Sequence, residues 1–301
     1  MKKRIIGILL ALILVFSTVG LTIAEKDNII YVDDDNTSGP WDGTIDHPFQ
    51  FIQDGIDASS DGDMVFAFSG RYVEHVIVNT SITLIGENKD QTVLDGDNGI
   101  DVVKIISDEV TISNFTIRNS NAKYAGIRCC SDDCFIINNI LEGHGSGVKI
   151  DVDANWSDID GLSHVINTTI INNHFVNNSE GVTTKPHTYF GWTSKNTKIF
   201  GNTFSQNSLG IRLIWADNCR IYYNNFWNND QDAFFQNPLW GAVEESDWKS
   251  NYWDRPRLLP HPIIGLRTFL IIGLFLFITP SFQFDWHPAA EPYDIDGGAM
   301  R

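Results

Sequence analysis

One six-residue phrase recurs along the chain and limits what it can fold into. An aliphatic or aromatic residue, two spacers, Asn, one spacer and Phe or Ile read as Phe135-x-x-Asn138-x-Ile140, Ile170-x-x-Asn173-x-Phe175, Ile199-x-x-Asn202-x-Phe204 and Ile221-x-x-Asn224-x-Phe226. Ile112-x-x-Phe115-x-Ile117 fits the same frame one repeat earlier, with Phe in the Asn slot. The central position advances by 23, 35, 29 and 22 residues. A second mark follows each phrase: Gly126-Ile127, Gly147-Val148, Gly181-Val182, Gly210-Ile211 and Ala233-Phe234. Two marks that move together define a repeat, and periods of 20 to 50 residues belong to solenoids and arrays.

The phrase alternates with period two, is rich in β-branched and aromatic residues, and is bounded by Asn, Ser, Gly and Asp, so each copy reads as a short strand. A coil of about 22 residues that stacks on its neighbour at roughly 4.8 Å is a parallel β-helix. An Asn at a fixed place in each coil bonds along the stack and tolerates left-handed backbone at a tight turn. Phe and Ile columns fill the interior. These residues are therefore read as structural. The expected fold is an all-β, right-handed parallel β-helix with an N-terminal helix-bearing cap and an irregular C-terminal cap.

Net charge is −17, which argues against nucleic acid, whose binding needs Lys and Arg to displace counterions. Residues 1–24 read as a signal peptide or N-terminal anchor: Lys2, Lys3 and Arg4 precede an apolar run from Ile5. Cleavage after Ala24 deepens the charge to −20. If uncut, residues 5–24 are 20 uncharged residues and make a membrane tether. Ser17, Thr18, Gly20 and Thr22 favour cleavage. Either fate places the body outside the cytoplasm, extracellular or on the cell surface.

Residues 25–75 are expected to be the N-terminal cap. Ile29–Val32 reads as a strand, and Phe51, Ile52, Gly55 and Ile56 share one face of a helix that covers the open first coil. Residues 76–236 hold the repeats and 237–301 a C-terminal cap. Within that cap, Thr268–Thr279 is uncharged and largely apolar, a length suited to a buried or interfacial segment; membrane contact through 268–284 is the lesser reading.

The run Phe51-Ile52-Gln53-Asp54-Gly55-Ile56-Asp57-Ala58, with Gly62-Asp63, Gly70-Arg71-Tyr72-Val73-Glu74, Ile82-Thr83-Leu84-Ile85-Gly86 and Leu94-Asp95-Gly96, resembles the opening of right-handed parallel β-helix proteins of the pectin-lyase-like group. The Asn phrases and the late Asn251-Tyr252-Trp253-Asp254 are most similar to the NosD-type periplasmic β-helix family. The resemblance spans residues 29–254 and is specific for fold; one solenoid hosts lyases, hydrolases, esterases and non-enzymes. It does not bring a copper site with it, because no Cys-His-Met cluster is present.

Two insertions lengthen adjacent coils, and such insertions map to one face. The first carries Asp151, Asp153, Asp158 and Asp160 with Trp156, and the second carries Tyr189 and Trp192. The acids offer a loose Ca²⁺ site against a solvated-loop alternative; the EF-hand spacing fails at Trp156 and Leu162. Tyr189, Trp192 and Trp156 are candidate sugar contacts. Arg128, Lys149 and Arg212, interrupted by Thr183, form a partial basic column outside the strands, the weak catalytic candidates. Cys130 and Cys134 flank a turn and are placed to bridge in an oxidising compartment, while Cys129 points inward. Tyr222 and Tyr223 lie on opposite faces, so one of them is expected in the core. A lyase needs a base beside a uronate and a cation on its carboxylate, and no such clustered set is read here. The favoured function is a non-catalytic module that binds polysaccharide or cell-surface glycan. A lyase or esterase acting on acidic polysaccharide is the alternative.

Overall fold

The computed structural model describes residues 28–152, 165–184, 194–238, 245–257, 259–271 and 275–295. Each coil runs through three parallel sheets in turn. One full turn is Phe135–Ile137 in the first sheet, Ile140–Glu142 in the second and Ser146–Ile150 in the third. The first sheet begins at Ile29–Val32 and Met64–Ala67 and ends at Asp247–Lys249. The second runs from Gly70–Val73 to Tyr252–Trp253. The third runs from Val76–Val78 to a closing hairpin, His261–Ile271 with Phe275–Asp285, the one antiparallel strand pair among the described residues. This is the right-handed parallel β-helix expected from the repeat.

The register corrects one phrase. Ile136, not Phe135, pairs with Ile112 and Ile170, and Leu141, not Ile140, pairs with Ile117 and Phe175. The ladder residue of that coil is thus Asn139. Asn138 and Asn139 are adjacent, so both satisfy the phrase, but only the second frame buries Ile136 and Leu141; a one-residue slip exchanges inside for outside. The last Gly mark slips likewise: Ala233 pairs with Ile211, so Asp232 stands in the Gly column.

The two properties assigned to the phrase Asn belong to neighbouring residues. Asn114, Asn138, Asn172, Gly201, Tyr223 and Ser250 have positive φ at the corner between the first and second sheets. The residues that follow form the ladder. Asn139 N–H donates to Asn173 Oδ1 at 2.9 Å, Asn173 N–H to Asn202 at 2.8 Å, Asn202 to Asn224 at 3.0 Å and Asn224 to Asn251 at 3.1 Å. Each Nδ2 also donates to a carbonyl of the preceding coil, as Asn202 does to Ile170 O. Buried corner N–H groups that no strand partner reaches are satisfied this way. Tyr223 occupies a left-handed corner position, which ends strand alternation. It is exposed, and Tyr222 lies on the outer face stacked on Phe200, so neither fills the core; Ile221 does.

A second ladder sits at the corner between the second and third sheets, from His144 through Asn178, Asn207 and Asn229. Inside, Phe175, Phe204, Phe226 and Trp253 stack at 4.8, 5.0 and 4.5 Å. The Gly column lies against this stack: a Cβ on Gly147 would meet Phe175 at 2.6 Å and one on Gly181 would meet Phe204 at 2.7 Å.

At the N-terminal end the helix is Ile52–Asp57, with Ile52, Gly55 and Ile56 buried over the first coil and Phe51 exposed. Glu74 accepts the Ile52 and Gln53 N–H groups at 2.9 and 3.1 Å. The strand Ile29–Val32 is already part of the first sheet, so the cap and the solenoid share one core. At the far end Asp285 closes the first Asn ladder, accepting from Ser250 N, Asn251 N, Asn251 Nδ2 and Trp253 Nε1. Closure therefore comes from Asp285, Gln283 and Ile263 at the base of the hairpin, while Ile278 within Thr268–Thr279 is exposed. Among the described residues, no helix is long and apolar enough to cross a membrane.

Candidate functional site

The outer face of the third sheet carries the charged column. Strand alternation buries Val103 and Ile105, Ile127 and Cys129, Val148 and Ile150, and Ile211 and Leu213. The residues between them project outward in lateral register: Lys104, Arg128, Lys149, Thr183 and Arg212. The column is thus one coil longer than the sequence indicated. Lys104 lies within the alternation Val103-Lys104-Ile105, but its coil lacks the Gly mark by which the others were aligned.

Carboxylates are threaded between these cations. Asp151, almost wholly buried, receives Lys149 Nζ at 2.6 Å and Arg128 Nη2 at 3.1 Å. Arg128 Nη1 also lies 3.8 Å from Asp101, whose other oxygen accepts Ala125 N–H at 2.7 Å. His75 Nδ1 is 3.1 Å from the Asp101 carbonyl. Arg212 pairs with Glu180 at 2.9 Å, and its guanidinium lies 6.0 Å from the Phe234 ring centre. Asp101, Glu180 and His75 were not singled out in the sequence, because lateral neighbours lie 20 or more residues apart in the chain. Asp151 Oδ1 and Thr183 Oγ1 are buried without a hydrogen-bond partner among the described residues.

Asp151 therefore joins Arg128 and Lys149 rather than presenting a bare carboxylate to Ca²⁺, whose charge those two cations oppose. The other proposed ligands, Asp153, Asp158 and Asp160, and the aromatic candidates Trp156, Tyr189 and Trp192 lie outside the described residues. Among the described residues no group of three or more His, Cys, Asp or Glu is placed to hold a metal. The two insertions do leave side by side, from the paired Ile150 and Thr184, and return side by side at Val165 and Ser194.

The cysteine expectation is corrected. None of the four cysteines is in a disulfide. Cys129 and Cys134 both donate to Ser131 O at 3.5 Å, so the neighbour of Cys134 is Cys129; Cys130 has the outward parity. The hydrogen bond with Cys129, together with burial, pushes the Cys134 thiol far up. Cys219, buried a coil stack away, is pushed up to about 11 by desolvation.

No family model matches the chain, and no curated protein matches it. Among solved structures it is similar to a pectin methylesterase from carrot, at 12% identity and a TM-score of 0.35, over 77% of this chain and 84% of that one. It is also similar to the pectin methylesterase of Aspergillus niger, at 16% identity and a TM-score of 0.24, over 77% and 67% of the two chains. At these identities and scores the resemblance carries no catalytic residue across.

Proposed function

We propose that this is an exported β-helix protein that binds an acidic polysaccharide along the outer face of the third sheet without catalysing its cleavage. The carrying observation is the cation column in lateral register over consecutive coils, Lys104, Arg128, Lys149 and Arg212, with only Thr183 intervening. Strand spacing repeats the donors about every 4.8 Å, a periodic array suited to a polymer with periodic carboxylates and hydroxyls. In a chain of net charge −17, four cations here stand against Asp101, Asp151 and Glu180. The pairing of Arg128, Lys149 and Arg212 with these acids fixes the guanidinium and ammonium geometry before a ligand arrives, which lowers the ordering cost of binding. Ca²⁺ enters this reading only through Asp153, Asp158 and Asp160.

The test is affinity for polygalacturonate, with and without methyl esters, together with assays for released methanol and unsaturated uronate. Binding that weakens at high salt, and at least about tenfold weaker binding by Arg128→Gln/Arg212→Gln, is the expected result. Release of methanol or unsaturated product would replace this reading with the esterase or lyase alternative. Full binding by the double variant would remove this face from consideration.

A further inference from the structure

The last coils of the first sheet carry a second group of cations, on a different face from the column of the third. Its final three strands are Lys198–Phe200, Arg220–Tyr222 and Asp247–Lys249. Strand alternation buries Ile199, Ile221 and Trp248. Two outward files remain. One is Lys198, Arg220 and Asp247, and the other is Phe200, Tyr222 and Lys249, with the members of each file directly opposite one another. Lys198, Arg220 and Lys249 are exposed, while Phe200 and Tyr222 are half-buried.

Cations on the other outer faces have acids. Arg71 and Arg118 share Asp95, Lys195 meets Asp217 and Arg212 meets Glu180. Among the described residues, the side chains of Lys198, Arg220 and Lys249 make no ion pair and no hydrogen bond. Lys198 and Arg220 stand directly opposite each other, and like charges so placed destabilise a sheet. Asp247 is opposite Arg220 on its other side and still forms no ion pair with it. The chain has 38 Asp and Glu against 21 Lys and Arg, so three neighbouring cations without a carboxylate depart from the rest of its surface.

The rings beside these cations are continuous. Phe200 and Tyr222 stack at 4.9 Å, Tyr223 meets Tyr222 edge-on at 5.2 Å, and Tyr293 meets Tyr223 at 5.5 Å. Tyr293 is held in place, its N–H donating to Asn225 Oδ1 and its hydroxyl to Ser250 O, both at 2.8 Å. Arg220 is near enough to Tyr222 for its charge to oppose the rise that burial gives the Tyr222 hydroxyl. Tyr223 is 46% exposed at a φ of +58°. Earlier coils place Asn114, Asn138 and Asn172 at this corner. A bulky side chain in left-handed backbone is strained, and such strain gathers at binding sites. The turn calls for Asn there, and nothing in the turn calls for a ring.

We propose that this patch is a second binding site, which takes a short acidic oligosaccharide. A sugar ring lays its C–H face on Tyr223 and the adjoining rings, and the carboxylates meet Lys198, Arg220 and Lys249. The guanidinium fork of Arg220 matches a carboxylate, and the rings supply rigid apolar area with a polar handle. From Lys198 to Lys249 the site crosses three strands, roughly 10 Å, the length of a few sugar units. It stands independently of the column on the third sheet.

The test titrates trigalacturonate calorimetrically into the full chain carrying Arg128→Gln/Arg212→Gln, which disables the third-sheet face. Binding in that background, weakened by salt, is the expected result. Adding Lys198→Gln/Arg220→Gln should weaken it at least about tenfold, as should methyl esterification of every carboxylate of the trimer. Tyr223→Asn restores the corner residue of the earlier coils while removing the ring, and should weaken it about fivefold. No binding in the Arg128→Gln/Arg212→Gln chain, or binding untouched by Lys198→Gln/Arg220→Gln, overturns the proposal. So does equal binding of the esterified trimer. Full binding by Tyr223→Asn would show charge attraction without a sugar contact and also overturn it. Loss of polymer binding with Arg128→Gln/Arg212→Gln reports the third sheet and loss of trimer binding with Lys198→Gln/Arg220→Gln reports the first, so either site can fail alone.

Discussion

At the scale of single residues, His144 shows why the corner ladders matter. It occupies the slot that Asn178, Asn207 and Asn229 fill in later coils. Its Nε2 lies 2.9 Å from Ile117 O, where Asn178 Nδ2 reaches Leu141 O, and its Nδ1 accepts from Ser120 N at 3.3 Å and Ser120 Oγ at 2.8 Å. Burial holds the imidazole down to about 4. The unfolded chain therefore binds a proton between about pH 6.5 and 4 that the folded one refuses, so stability is full above that window and falls on acidification through it. His144→Asn keeps a donor and an acceptor in the slot and removes the titration. The wild type should lose on the order of 3 kcal/mol more than the variant between pH 7 and 4. Urea midpoints across that range decide it, and parallel curves would refute the assignment.

At the scale of elements, the Gly column and the aromatic stack fix each other. A Cβ on Gly181 would lie 2.5 Å from Gly210 O and 2.7 Å from the Phe204 ring, and the first of these atoms is backbone. Gly181→Ala should cost about 1–3 kcal/mol or more, and shortening the ring with Phe204→Leu should not restore it. Gly143 is a control, with φ of +75° and nothing within 4 Å of a Cβ. Gly143→Asn should stay within about 1 kcal/mol, since Asn tolerates left-handed backbone. Chemical denaturation of the three variants makes the comparison. The same scale shows where the sequence misled: Asn138-Asn139 and Ala233-Phe234 fit the repeat in two frames. Local pattern cannot separate frames that differ by one residue. Lateral packing of Ile136 on Ile112 and Ile170 can.

At the scale of the whole molecule, the ladder ends on one buried carboxylate. Asp285→Ala leaves Ser250 N, Asn251 N, Asn251 Nδ2 and Trp253 Nε1 without their acceptor. The loss should be about 3–5 kcal/mol, concentrated at the C-terminal end because each coil contacts only its neighbours. Hydrogen exchange should therefore quicken first in Arg220–Trp227 and Asp247–Trp253 and last in Met64–Ala67 and Thr83–Gly86. Uniform acceleration would show instead that the solenoid opens as one unit.

The sequence alone determined the solenoid, because a coil must repeat its inward residues and its corner residues at every turn, and both leave marks at fixed spacing. It also placed Arg128, Lys149 and Arg212 on a shared outer column, since each stands two residues after a Gly mark and strand parity fixes its face. Lateral neighbours in a solenoid are separated by a whole coil, so contact between Asp151, Arg128 and Lys149, the addition of Lys104, Asp101 and Glu180, and the proximity of Cys134 to Cys129 rather than Cys130 came only from the register. The role of Asp285 was equally invisible: nothing near it in the chain resembles Asn. Only when the hairpin returns to the last coil does its carboxylate meet the four donors that the final Asn would otherwise leave unmatched.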